Sequence, residues 1–496
     1  MEPVQVDFSD VQGLARYGYR CLHHAAYFLA RIKDPGSARA WLAKQKFTSA
    51  AEKHAPDEVL QVAFTFAGLQ ALGISQAIQK GFPTDFRSGM TGDQARSRRL
   101  GDTGRNDPDK WIWGGRGNVP HLLITVIAKS APALAALEAR IKCDLWAQAF
   151  DEPLYLPTSD MDEHEPFGFK DGVSQPKPDW ERRLTPRDNT YEYTNRSALG
   201  EFLLGYPNEY ALCTDRPLLS LEEDPNGILL PAEDVPNKKD FTRNGTYLVM
   251  RDLAQDVAGF QAYVNDRAKQ MPGKNYSFAE AMVGRRKCGE PIVALDALPI
   301  EGVKEDEEKD WKYNRFTFRS DPHGWTCPFG AHIRRANPRN ADLPEGTKGW
   351  LSFLWRMLGF GGRGTRYDLL ESVRFHRILR RGREYGPLIG DQVGKGRRPG
   401  EEGLRFICLN ANILRQFEFL QNSWITNPRF NGLEEADPLL GNREKLCAGG
   451  DTNTFTWPQP SGINRRYEGL PAFVTVRGGA YFFMPGFRAL RYICNQ

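Results

Sequence analysis

The sequence predicts an α+β protein built from two ferredoxin-like halves, each an antiparallel sheet with its helices on one face. Two observations lead there. Four segments share one pattern, in which a short β-branched or aromatic run gives way within a few residues to an amphipathic helix, and they fall two in each half of the chain. The length of 496 residues is also more than one ordinary core accommodates.

The first segment is AYFLARIKDPGSARAWLAKQ from residue 26, and the second is LLITVIAKSAPALAALEARI from 122. The third and fourth are TYLVMRDLAQDVAGFQAYV from 246 and LRFICLNANILRQFEFLQ from 404. In each, continuous or period-two apolar character switches to apolar residues three and four apart. Helices on one face leave the other sheet faces free to pack together. Between about 180 and 243 the chain is rich in Pro, Asn, Asp and Arg with weak periodicity, which sets the boundary between an N-terminal half, 1–240, and a C-terminal half, 241–496. EGVKEDEEKD at 301–310 reads as a solvated charged loop. The tract 339–366 contains GFGGRGTR, but it lacks the GxxxxGK[ST] order of a phosphate loop.

Composition excludes more than it selects. Hydrophobic residues make up 40% and charged residues 26%, ordinary for a folded globular chain. The net charge of +4 is too small to argue for a nucleic-acid or membrane partner. Residues 351–400 carry eleven Lys or Arg against four Asp or Glu, which suggests that an anion is handled there. The eight cysteines are scattered, so neither a zinc site nor a disulfide framework is expected, and a reducing compartment fits. MEPVQVDFSD has no basic region followed by an apolar run, and WLSFLWRMLGF at 350–360 is far shorter than the roughly 20 residues that span a bilayer. A cytoplasmic location is the expectation.

The usual catalytic signatures are missing. There is no HExxH and no GxSxG, and the one GxGxxG, GFGGRG at 359–364, follows no clear strand. What remains is GFKDGVSQP at 168–176, where Gly168 and Gly172 hold Asp171 in a tight turn, and CPFGAHIRRANPR at 327–339, where His332 stands among Arg334, Arg335 and Arg339. One axial imidazole is what haem iron requires, and guanidinium groups are what its propionates require. A second arginine cluster, RFHRILRRGREYG, follows at 374–386.

Taken in order, GFKDGVSQP, CPFGAHIRRANPR, RILRRGREYG and GLRFICLNANILRQFEFLQNSWI at 403–425 resemble the dye-decolorizing peroxidases. DVQGLARYGYRCLHHAAYFLARI near the N-terminus and NGTYLVMRDLAQDVAGFQAYV in the middle are similar to that family too. The resemblance implies a fold of the dimeric α+β barrel type with peripheral helices and a haem b cofactor. It makes His332 the proximal iron ligand, Asp171 the distal acid-base residue and Arg380 the distal arginine. It also implies that Asp437, in DPLLG, hydrogen-bonds the proximal imidazole, that Arg339 meets a propionate, and that Leu404 and Phe406 line the distal face. In some relatives an asparagine stands two places after the distal arginine, where this chain has Gly382. Hydrogen peroxide and aromatic reductants would be the substrates, and Tyr385, five places after Arg380, is a candidate relay to bulky dyes at the surface. One rival is a haem-binding or haem-delivery protein in which Asp171 is structural. A nucleic-acid surface on 351–400 is the other, disfavoured because no aromatic residues interleave its charges at regular spacing.

Overall fold

The computed structural model describes residues 5–52, 56–143, 145–184, 195–268, 276–295, 311–339, 373–388, 397–443 and 451–496. The charged loop 301–310, the patch 350–360 and GFGGRGTR lie outside the described residues.

Three of the four repeated segments fold as their pattern predicts. Strand β1 is His24–Ala30, and helix α1, Pro35–Lys44, follows it. Asp34 caps α1 by accepting from Ser37 N at 2.6 Å, with proline in the first turn, where its missing N–H costs nothing. Strands β2, Glu58–Phe64, and β3, Leu122–Ala128, precede α2, Ala131–Ile141, and β4, Leu154–Pro157, closes the first half. The second half repeats the plan with β5, Thr246–Gln255, α3, Val257–Ala268, and α4, Phe278–Val283, the last capped by a Ser277–Glu280 capping box. A short helix α5, His332–Ala336, precedes β6, Leu379–Arg380, β7, Arg383–Tyr385, and β8, Glu402–Asn410. Strand β9, Val474–Met484, and helix α6, Phe487–Cys494, end the chain. After β8 the expected α-helix is instead π-helical over Leu414–Glu418 and Leu420–Ile425, with Glu418 N bonding to Ile413 O at 2.9 Å. Such turns cluster at functional sites, and here Glu418 is anchored by Tyr481 Oη at 2.9 Å and Arg96 Nε at 3.0 Å.

All pairings in the main sheet are antiparallel, and its order is β6-β8-β5-β9-β2-β3-β1-β4, with β7 also on β8. Each half therefore runs second, third, first, fourth strand. The halves meet at a single pair, Phe483 of β9 opposite Phe64 of β2. At the far ends, Ser159 N beyond β4 donates to Glu384 O of β7 at 3.0 Å, so the sheet curls until its outer edges touch and no long edge is left bare. Side chains alternate between two faces. One face of both halves, including Tyr27, Leu123, Leu248, Ile407 and Phe482, closes on itself as the expected packed interior. The other, including Phe28, Ile124, Val249 and Phe483, lies under the helices. No helix among the described residues is long and apolar enough to cross a membrane.

The interior face also holds an ionic cluster. Asp252 of β5 is fully buried and accepts from Arg405 of β8, from Arg397 and from Trp113 Nε1, the last at 3.2 Å. Burial opposes its charge, but Arg405 and Arg397 outweigh burial and hold its carboxyl below the ordinary range. Asp252→Ala would leave the buried Arg405 guanidinium uncompensated while Arg397 keeps Glu401, so we expect a loss of about 3–5 kcal/mol in urea denaturation.

Candidate active site

The loop bearing Asp171 is fixed from beneath by Glu165. Its carboxylate accepts from Phe167 N and Phe169 N, both at 3.0 Å, and from Gln255 Nε2 of β5 at 2.7 Å. Gly168 and Gly172 have φ of +90° and +80°, which L side chains rarely adopt. Gly172 also stands against a side chain from a distant part of the chain. A Cβ there would sit 2.8 Å from the guanidinium carbon of Arg20, so the glycine makes room for an arginine.

That arginine is half of a clamp. Asp171 Oδ2 accepts from Arg20 Nη2 at 3.2 Å, and Oδ1 accepts from Arg380 Nη1 at 2.6 Å. Burial raises the Asp171 carboxyl, but Arg380 and then Arg20 outweigh it, and the group stays ionised below the usual carboxylate range. Arg380 ends β6, and its backbone is bracketed by the side chain of Gln175. Arg380 N donates to Gln175 Oε1 at 3.0 Å, and Gln175 Nε2 donates to Arg380 O at 3.1 Å. The last residues of GFKDGVSQP thus position the arginine that its aspartate binds. At Gly382 an added Cβ would lie 2.5 Å from Arg405 O, so β8 excludes an asparagine at that place.

His332 is the first residue of α5. Its Nδ1 lies 3.0 Å from Asp437 Oδ2, while Asp437 Oδ1 accepts from Leu439 N and Leu440 N at 2.9 Å each. Asp437 is fully buried; burial raises its carboxyl, but His332 and Arg335 outweigh that and lower it. Bonded to a carboxylate, Nδ1 carries the proton, and Nε2 is left with a free lone pair facing the cavity. Arg335 pins α5 to the π-helical segment through Trp424 O at 2.8 Å, and Arg334 pins it to Asp321 at 3.0 Å.

A cavity of about 300 Å³ joins these groups. The sheet supplies one wall with Arg380, Leu404 and Phe406, α5 supplies another with His332 and Ile333, and Asp171 reaches in from its loop. His376 also lines the cavity, but its ring stacks 3.6 Å from Phe419 and its Nδ1 bonds Arg415 O at 2.6 Å, which fixes it as a wall element.

Two expectations need correcting. Arg339 does not line the cavity. Its guanidinium stacks 3.7 Å over Phe316 and donates to Asn314 O, Phe316 O and Asn314 Oδ1 at 3.0, 2.9 and 2.6 Å, and its Nη2 donates to Ser174 Oγ at 3.4 Å, which ties the 314–316 segment to the Asp171 loop. Besides Arg380, positive charge in the wall comes from Lys170, Arg251, Arg285 and Arg377. Tyr385 is no surface aromatic. It is 0% exposed and lies on the interior face of the sheet, with the Arg405 guanidinium 3.6 Å over its ring. The basic tract, where described, also turns inward: Arg377 donates to Arg196 O, Arg381 to Leu14 O, and Arg383 to Tyr19 O and Leu22 O.

Whether these residues suit haem can be judged from the donor set. Among the described residues, no group of three or more His, Cys, Asp or Glu could cage a metal ion. A single carboxylate-backed imidazole in an apolar cavity suits a metal that brings its own equatorial ligands. The residues fit.

No family model matches the chain. The dye-decolorizing peroxidase msp1 of Mycetinis scorodonius is 26% identical over 522 residues, covering 99% of this chain and 88% of its own. A decolorizing peroxidase of Auricularia auricula-judae superposes with a TM-score of 0.69 at 23% identity, over 98% of this chain and 100% of its own. A solved dye-decolorizing peroxidase described by the engineering of its heme pocket gives a TM-score of 0.69 at 22% identity, over 99% and 100% of the two chains. The resemblance read from the sequence extends over the whole chain, and the fold is theirs.

Asp171 and Asp437 are both held below the ordinary carboxyl value of about 3.9. Their contribution to stability is complete above that value and is lost as pH falls through the lower folded values. Asp437→Asn should therefore destabilise the protein at pH 7 and far less near pH 3, measured by urea denaturation at both.

Proposed function

We propose that this chain, a relative of the dye-decolorizing peroxidases along its whole length, is a haem b-dependent peroxidase. It reduces hydrogen peroxide and oxidises dyes, phenols or other aromatic reductants in one-electron steps. The observation that carries this reading is the single cavity that brings His332, backed by Asp437, together with the Asp171–Arg380 pair. The N-terminal half, 1–240, contributes Asp171, and the C-terminal half, 241–496, contributes the rest. The scattered cysteines suit a cytoplasmic enzyme.

When bound, haem would supply the iron centre that takes the oxidising equivalents of peroxide, and it would be held by His332, with Lys170, Arg285 and Arg377 offering charge to its carboxylates. Asp437 fixes the His332 tautomer and keeps the imidazole basic. The Asp171 carboxylate accepts the first proton of peroxide and returns it to the oxygen that departs. Arg380 supplies a fixed positive charge where negative charge develops on that oxygen, and it does so without waiting for solvent to reorganise. A haem-delivery protein has no use for an ionised carboxylate clamped by two arginines at the cavity wall, and that feature favours the peroxidase over its rival.

A Soret band in the purified or haemin-reconstituted protein is the first requirement. Asp171→Ala and Arg380→Leu should each lower peroxide-dependent dye turnover by about 100 to 1,000-fold. Rates equally negligible in wild type and both variants would favour the haem-binding protein. Because Asp171 must be ionised to take a proton and its carboxyl is held low, the acid limb of kcat/KM for peroxide should lie below about pH 3.9. Turnover should then be fastest in acid, and a maximum at neutral pH would contradict this assignment.

A further inference from the structure

The cavity has a second polar end that the mechanism leaves unused. Arg251 of β5 is directly opposite Phe406 of β8 and shares its face of the sheet. It is thus two strands from Arg380, roughly 10 Å at about 4.8 Å per strand. Arg251 is 4% exposed and Asp102 is 1% exposed, and Arg251 Nη2 donates to Asp102 Oδ1. Half of each group remains. Arg251 Nη1 and Asp102 Oδ2 are buried without a hydrogen-bond partner among the described residues, and both residues line the cavity.

An unmade bond at a buried charged group costs on the order of 1–3 kcal/mol or more, so this donor and acceptor call for a ligand that satisfies both. A carboxylate or phosphate would meet the Asp102 charge, and an ammonium would meet Arg251. A hydroxyl accepts from one and donates to the other. Leu100, Leu253, Val474 and Val476 line the same cavity and give an aromatic ring apolar surface to rest on.

We infer that Arg251 and Asp102 bind the hydroxyl of a phenolic reductant, whose oxygen accepts from Arg251 Nη1 and whose hydrogen is donated to Asp102 Oδ2. What the phenol does there rests on the peroxidase reading; that it binds there does not. When one electron is withdrawn from the phenol, its O–H bond breaks, the proton passes to Asp102 Oδ2 and a phenoxyl radical leaves. Two phenols supply the two electrons and two protons by which one hydrogen peroxide, the oxidant, becomes two waters. Burial pushes the Asp102 carboxyl up to about 6 although Arg251 pulls it down, and the nearby Asp107 adds to the rise. Where it is ionised, above about pH 6, it is a better proton acceptor than an ordinary aspartate.

The test is calorimetric binding to the haem-loaded wild-type enzyme without peroxide, comparing 2-methoxyphenol with 1,2-dimethoxybenzene, in which a methyl ether replaces the hydroxyl. The phenol should bind at least about tenfold more tightly, the equivalent of one hydrogen bond to a charged group. A crystal soaked with it should place its oxygen within hydrogen-bond distance of Arg251 Nη1 and Asp102 Oδ2. Asp102→Asn should erase the preference. Equal affinities, or a phenol oxygen located elsewhere with only water at the pair, would overturn the inference. A protein that takes up no haem would sink the peroxidase reading, while the affinity ratio, measured on the same protein, would still decide the phenol site.

Discussion

A carboxylate beside an apolar cavity stays charged only if opposite charges stand closer to it than the solvent it has lost. Asp171 meets that constraint with two guanidinium groups from distant parts of the chain, one on each oxygen. The arrangement explains much of the surrounding structure. Glycine at 172 clears space for Arg20, Gln175 brackets the backbone of Arg380, and Glu165 anchors the loop to β5. Removing one partner from such a cluster leaves an uncompensated buried charge, so these supports act together.

The alternation of the strands decides which charges reach the cavity. Along β8, Leu404 and Phe406 face it, while Arg405 between them faces the interior and meets Asp252. On β5, Arg251 faces the cavity and its neighbour Asp252 faces away. Two sets of arginines therefore lie back to back across one layer of backbone. A slip of one residue in register would exchange them, bury unpaired charge on both faces and destroy the site.

Much of this was legible in the sequence, because local patterns report local structure. The four strand-helix segments lie where their periodicity puts them, and GFKDGVSQP, His332 and Arg380 come from blocks whose resemblance to the dye-decolorizing peroxidases implied one site. Long-range pairings left no such trace. Nothing in ARYGYRC signals that Arg20 reaches Asp171, and nothing near LGDTGRN signals that Asp102 meets Arg251. The arginines around His332 misled for a related reason: composition shows that positive charge is present, but not whether its donors go to a ligand or, as for Arg334, Arg335 and Arg339, to the chain's own acceptors. Tyr385 failed because spacing from Arg380 says nothing about which sheet face a side chain takes once the chain passes from β6 to β7.

Arg381 and Arg383 grip the carbonyls of Leu14, Tyr19 and Leu22, and so fix the segment that presents Arg20. The gripped residues leave the ribosome first, and the grip arrives more than 350 residues later. During translation Asp171 is made before Arg380 and before the two arginines that hold the Arg20 segment, so its clamp is complete only once the chain has passed residue 383.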